Sequence, residues 1–176
     1  MEKSVKSSAI NYGLYLGLFL VALTVLAYAI NLGLLTNLWF GIFIIIAIVA
    51  FGVVSVAKAK GLLNGFISFK HAFGTYFLTV LIGLLISTVV SYLLFAVIDT
   101  EAAETLKEQT IEMTITNMER FGAPVDSISE QVEKMKADNQ YSIMNILKGL
   151  AGQLVLFSII GLIVALIMKR SDPEQA

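Results

Sequence analysis

The sequence contains no cysteine, one histidine and two prolines in 176 residues. Without cysteine there can be no disulfide, no thiolate metal ligand and no cysteine nucleophile. A lone His71 excludes a metal site built from several imidazoles. Charge is scarce as well: 14% of residues carry one and the net charge is −1, which gives no reason to expect a nucleic-acid partner. The most telling absence is positional, because residues 72–98 run for 27 residues without a formal charge.

What fills the space is apolar: 57% of side chains are hydrophobic and the mean hydropathy is +0.84. Four segments reach the length that crosses hydrocarbon, namely Ala9–Ile30, Leu38–Ala57, Ala72–Ile98 and Gly149–Met168. Inside a bilayer each peptide group must find its partner within its own segment, so each predicts an α-helix. The expected fold is an all-α membrane protein: a single membrane domain over residues 1–176, with a helical hairpin between the third and fourth spans. Lys3 and Lys6 before an apolar run ending in Ala27-Tyr28-Ala29 resemble a signal peptide. That run is longer than a usual signal core and holds Gly13 and Gly17, so it is expected to stay as a span.

Basic residues set the expected orientation. Lys3 and Lys6 flank the first span, Lys58, Lys60 and Lys70 crowd the loop after the second, and Lys169 and Arg170 follow the fourth. Short basic segments stay cytoplasmic. Both termini and the 58–71 loop are therefore expected inside, with the uncharged connector Asn31–Asn37 and the 99–142 segment outside. Aromatic placement agrees, with Tyr12, Tyr15 and Tyr76 near the inner interface and Tyr28, Trp39 and Tyr141 near the outer one.

The stretch between the second and third spans holds the histidine. Lys58 and Lys60 suit the negative end of a helix, Gly61 suits the residue just past it, and Asn64-Gly65 signals a turn. Ser68 is then placed to cap the third helix through the amide of Lys70 or His71. His71 falls at the third helical position, where a capping box carries Glu or Gln. Lys70 is expected to reach toward phosphate head groups. His71 as a proton carrier or lipid-phosphate ligand is the competing reading, but no carboxylate nearby in sequence would orient the ring.

The same stretch carries a resemblance. Gly65-Phe66-Ile67-Ser68-Phe69, followed by Ala72-Phe73, is similar to the motif of a family known as domain of unknown function 4199. The likeness extends over nearly the whole chain: a Tyr-Gly-rich first span, the basic loop, the acidic stretch between spans three and four, and a short basic tail. It implies a small bacterial membrane protein, met mainly in the Bacteroidota, and location in the inner membrane. In that family a glutamine often stands where His71 stands, which fits the capping role. No reaction, ligand or catalytic residue comes with the resemblance.

Within the third span Thr75, Thr79, Gly83, Ser87 and Ser91 recur every fourth residue. Small side chains let helices approach in lipid and gain dispersion contacts and interhelical hydrogen bonds. Gly13 and Gly17 form a similar pair in the first span, Gly161 and Ala165 in the fourth, and the second offers Gly41 and Gly52. These residues are expected to pack the four helices together; a homodimer seam at Gly13 and Gly17 is the alternative. No Asp or Glu lies within the spans, where ion-coupled transporters usually hold one. Gln153 is expected to bond across to the serine-threonine stripe.

Residues 99–142 contain ten acidic residues and four basic ones, a balance of −6. A helix over Glu101–Arg120, a break at Phe121-Gly122-Ala123-Pro124, and a second helix capped at Asp126 or Ser127 with a Ser127-x-x-Glu130 box are predicted. Paired with each other, they would extend the third and fourth spans outward. Leu106, Ile111, Met113, Met118, Ile128, Val132 and Met135 form the candidate partner surface, since methionine-bearing faces adapt to varied partners.

Catalytic motifs such as H-E-x-x-H and G-x-S-x-G are missing, so no enzyme, cofactor or metal is expected. The expectation is a non-enzymatic anchoring or partner-binding protein that uses its outer hairpin. Its partners would be membrane lipids, further copies of itself and an extracytoplasmic protein. A small oligomeric transporter or channel is the alternative.

Overall fold

A computed structural model describes residues 3–170. It contains α1 (Lys3–Ile30), a 3₁₀ turn (Leu32–Leu34), α2 (Leu38–Leu62) and α3 (Phe69–Tyr92), which continues as a π-helical turn (Leu93–Ile98). Then follow α4 (Thr100–Arg120), α5 (Val125–Ala137) and α6 (Ile143–Met168). Four of these, α1, α2, α3 with its π turn, and α6, are long and apolar enough to cross a membrane.

Each of the four overruns the apolar run that predicted it, because caps end helices and hydropathy does not. Asn37 accepts from the amides of Trp39 and Phe40, and Ser142 from that of Asn145. α2 passes Gly61 and stops at Leu62, where Asn64 takes a left-handed φ of 55° and the Gly65 amide reaches back to the Lys60 carbonyl at 2.9 Å. The Asn-Gly pair, rather than Gly61, supplies the stop.

α3 is the centre of the bundle, in contact with α1, α2 and α6, while α1 and α6 each also border α2. The core draws Leu16 and Leu20 from α1, Ile48 and Val56 from α2, Tyr76, Val80 and Leu84 from α3, and Phe157 and Val164 from α6. The outer surface of the helices shows Leu18, Ile46, Ile163 and Ile167, as a bundle bathed in hydrocarbon requires.

Tyr76, expected at an interface, is instead fully buried. Its ring is wedged between Gly52 of α2 and Gly161 of α6, where any Cβ would collide with it. Those two glycines are small because a tyrosine ring occupies the space a side chain would need.

A second, smaller core lies at the end of the bundle away from the chain termini. There Phe95, Ala102, Ala103 and Leu106 pack with Tyr28, Leu32, Leu35 and Tyr141. The two helices of the acidic segment form, but α4 does not prolong α3. Asp99 leaves helical geometry (φ −135°, ψ 84°) and caps α4 by accepting from the Ala102 amide at 2.9 Å. α4 then runs over the α1–α2 connector, so that Gln109 lies by Thr36 and Arg120 shares a cleft with Leu38. α4 ends in a Schellman motif around Gly122 (φ 72°), with Ala123 bonded to Met118 and Gly122 to Glu119. α5 begins earlier than predicted. Pro124 stands at its N-cap without a side-chain bond, Asp126 and Ser127 lie inside the first turn, and Glu130 pairs with Lys134 at 2.6 Å instead of closing a box.

Candidate functional site

The entrance to α3 follows from its sequence. The Ser68 hydroxyl accepts from the His71 amide at 3.3 Å and lies 3.2 Å from the ring Nδ1 of the same histidine. A serine proton directed to Nδ1 fits an imidazole protonated at Nε2. His71 therefore meets the cap through the Ser68 hydroxyl, not through the Ser68 amide that a Gln or Glu would reach. Lys70 is exposed beside it.

Just before this cap, the 62–69 loop is clamped to the end of α6. Ile67 is buried and exchanges two backbone hydrogen bonds with Arg170, at 3.0 and 2.9 Å. The Arg170 guanidinium sits over the Phe66 ring, 5.5 Å from its centroid, and the Lys60 ammonium donates to the Met168 carbonyl at 3.0 Å. The lysine thus meets the negative end of α6, an arrangement worth about 0.3–1 kcal/mol. The sequence places Lys60 at the negative end of its own helix and Arg170 in a basic tail; nothing in their spacing reveals that they join two distant segments.

The small-residue stripes divide by position. Gly13 and Gly17 face Ile82 and Ile86 of α3, and Gly83 faces Leu16 of α1. Within this fold, the Gly13–Gly17 face is occupied by α3 and leaves no room there for a second copy. Gly161 lies on Tyr76, and Ala165 is fully buried. Thr75 and Thr79 are fully buried: Thr75 donates to the His71 carbonyl, and Thr79 Oγ1 lies 3.1 Å from the Ala9 carbonyl and 2.8 Å from Ser55 Oγ. With one proton per hydroxyl, Thr79 can donate to α1 while Ser55 of α2 donates to Thr79, so one junction ties three helices. Ser55 was not singled out in the sequence, and its spacing offered no hint.

Ser87 and Ser91, at the far end of the same stripe, are only half-buried. They line a cleft of about 310 Å³ between α3 and α6, with Thr88, Tyr92, Gln140, Asn145 and Gln153. A neighbouring cleft of about 500 Å³ shares Tyr92, Gln140 and Tyr141 with it and adds Thr100, Glu104, Lys107 and Asp138. Gln153 lines this space with the stripe but makes no hydrogen bond to it among the described residues. Gly149 and Gly152 on the same stretch of α6 have nothing within 4 Å of a Cβ position.

Electrostatics at this end are local. The Lys107 ammonium donates to the carbonyls of Lys136 and Asp138 at 2.7 and 2.8 Å, closing the C-terminus of α5. Asp99 accepts from the Ala102 amide and from the Tyr28 hydroxyl at 2.7 Å, and these bonds hold its carboxyl below the ordinary value of 3.8. Burial pushes the Tyr141 phenol up. Of the candidate partner surface, Leu106 is buried in the second core and Ile111 is buried as well. Met113 is exposed, and Met118, Ile128, Val132 and Met135 are half-exposed. The largest apolar exposure outside the spans falls on Phe121 (91%) and Val125 (76%), at the turn between α4 and α5. Sequence reading had taken that turn only as a break.

No group of three or more potential metal ligands occurs among the described residues. The sequence model of a family described as "Protein of unknown function (DUF4199)" matches residues 11–170. The chain belongs to this family. The matched range takes in α1 from Asn11 onward, the other three apolar helices, the 62–69 loop and its contact with Arg170. No curated protein and no solved structure matches the chain.

Proposed function

We propose that this is a non-enzymatic protein of the bacterial inner membrane that binds a protein partner through the α4–α5 arm. Its four spans hold the arm outside, and both termini lie in the cytoplasm. The observation that carries the reading is the pair Phe121 and Val125, large apolar side chains standing in solvent at the tip of a largely polar, acidic arm. Exposed apolar groups rimmed by polar ones mark interaction surfaces. Met113 and Met135 offer adaptable contacts farther along the arm. The basic residues near both termini and in the 58–71 loop support the orientation.

The alternative is transport by an oligomer. Tyr76, Leu16 and Val80 fill the interior of one bundle, so any path would run between copies rather than through a single chain. Photocrosslinking in cells from Phe121 and Met135 tests the partner reading, with Lys58 as the control. A discrete adduct from the two arm positions and none from Lys58 is expected. Equal or absent labelling at the three positions would remove the arm as a binding surface.

A further inference from the structure

The cleft between the outer halves of α3 and α6 has chemistry the rest of the bundle lacks. Several hydroxyls in other helical stretches satisfy themselves: Thr24, Thr75, Thr110 and Thr114 each donate to the carbonyl four residues earlier. Ser87, Thr88 and Ser91 make no such bond, nor does the Tyr92 hydroxyl or the Gln153 amide among the described residues. Five uncharged donor-acceptor groups therefore converge on one space between two apolar helices. In a bilayer, polar groups at that depth need partners. Packing between the helices does not supply them, because α3 and α6 meet through Tyr76 and Gly161 and separate beyond.

The lining also says what the partner is. Leu84, Ile146 and Leu150 supply an apolar floor. Every polar group that lines the inner cleft is uncharged. The one cation in the adjoining cleft, Lys107, is already committed to two carbonyls, and Glu104 and Asp138 stand beside it. A phosphate would find acids and no free cation; a hydroxyl-rich uncharged group would find donors and acceptors throughout. At the top of the cleft α3 widens into its π turn, where the Asp99 amide bonds the Leu94 carbonyl at 2.8 Å, a local form that often accompanies binding sites.

We propose that the α3–α6 cleft binds an uncharged polyhydroxyl group, with an attached apolar chain running along Leu84 and Leu150. A sugar-headed lipid supplies both parts; a free sugar supplies only the first. The test is native mass spectrometry of the full chain in an oligo-ethylene-glycol detergent, which carries no sugar of its own. The probes are monoglucosyl diacylglycerol, phosphatidylglycerol and free glucose. Retention of the glucolipid about tenfold above phosphatidylglycerol is expected, with a comparable loss on Ser91→Leu. Gln153→Leu, at an exposed α6 position, serves as the second variant should Ser91→Leu fail to fold, with folding read by circular dichroism. Glucose retained as strongly as the glucolipid would keep the polyhydroxyl assignment and place its source in solution. Phosphatidylglycerol retained as well as the glucolipid, or undiminished glucolipid retention in a folded variant, overturns the proposal.

Discussion

Thr79 and Ser91 belong to one four-residue stripe on one helix, and their surroundings differ in kind. Thr79 is fully buried and hydrogen-bonded to two other helices, whereas Ser91 is half-exposed on a cleft with no side-chain bond among the described residues. Helical geometry explains the divergence. A repeat of four on a helix of 3.6 residues per turn advances about 40° at each step, so the two side chains point about 120° apart. The stripe therefore begins against α1 and α2 and ends facing α6. Small residues at regular spacing record where helices approach only as long as the partner helix follows the same winding.

Glycines on α6 offer the hardest test of this contrast. Gly161→Leu would drive a side chain into the Tyr76 ring and should prevent assembly or cost more than about 3 kcal/mol, beyond ordinary overpacking. Gly149→Leu meets open space and should leave unfolding in mixed detergent unchanged. Equal effects would erase the distinction between a closed and an open half.

Tyr76 itself sharpens the closed side. Its hydroxyl is buried without a hydrogen-bond partner among the described residues, so Tyr76→Phe should be neutral or slightly stabilising. Tyr76→Ala should cost about 3–5 kcal/mol, read from the same unfolding curves, through the cavity left between Gly52 and Gly161. A large loss in the Phe variant would mean that the hydroxyl has a partner after all.

Comparing the two hydroxyls directly, Thr79→Val should destabilise by about 1–2 kcal/mol because three helices share its bonds. Ser91→Ala should change stability by less than about 0.5 kcal/mol.

The smallest effect lies at the arm. Asp99 is held below its usual value by the Ala102 amide and the Tyr28 hydroxyl. A carboxyl depressed in the folded state contributes stability above its unfolded value and loses it as pH falls through the folded one. The α4 cap should thus hold at neutral pH and weaken only below about pH 4, seen as a shift in Trp39 fluorescence. Asp99→Asn should flatten that acid response.

Much of this was legible. Lengths of uncharged sequence gave four spans because hydrocarbon thickness leaves few alternatives, and Ser68 could be assigned as a cap because serine at that place satisfies an orphan amide. Asn64-Gly65 announced its turn, although the stop was first assigned to Gly61. What stayed hidden depends on contacts between segments far apart in the chain. Tyr76 read as an interface residue because its burial rests on Gly52 and Gly161, 24 and 85 residues away. Ile67 and Arg170 read as loop and tail, yet two backbone bonds join them, and the Lys60 ammonium adds a bond to the Met168 carbonyl. Periodicity fixes a face on a helix but not which neighbour covers it, so the apolar side of α4 reads as a partner surface although Leu106 and Ile111 on it are buried.

Because the chain has no cysteine, the contrast between the two ends of the stripe can be measured without background. Single variants Thr79→Cys and Ser91→Cys, treated in intact cells with a membrane-impermeant maleimide, report access to each position from outside. Labelling of the residue at 91 and none at 79 is the expected result. Labelling of 91 only after the membrane is broken would overturn the proposed orientation; labelling of both alike, or of neither even then, would contradict the account of an open cleft beside a sealed core.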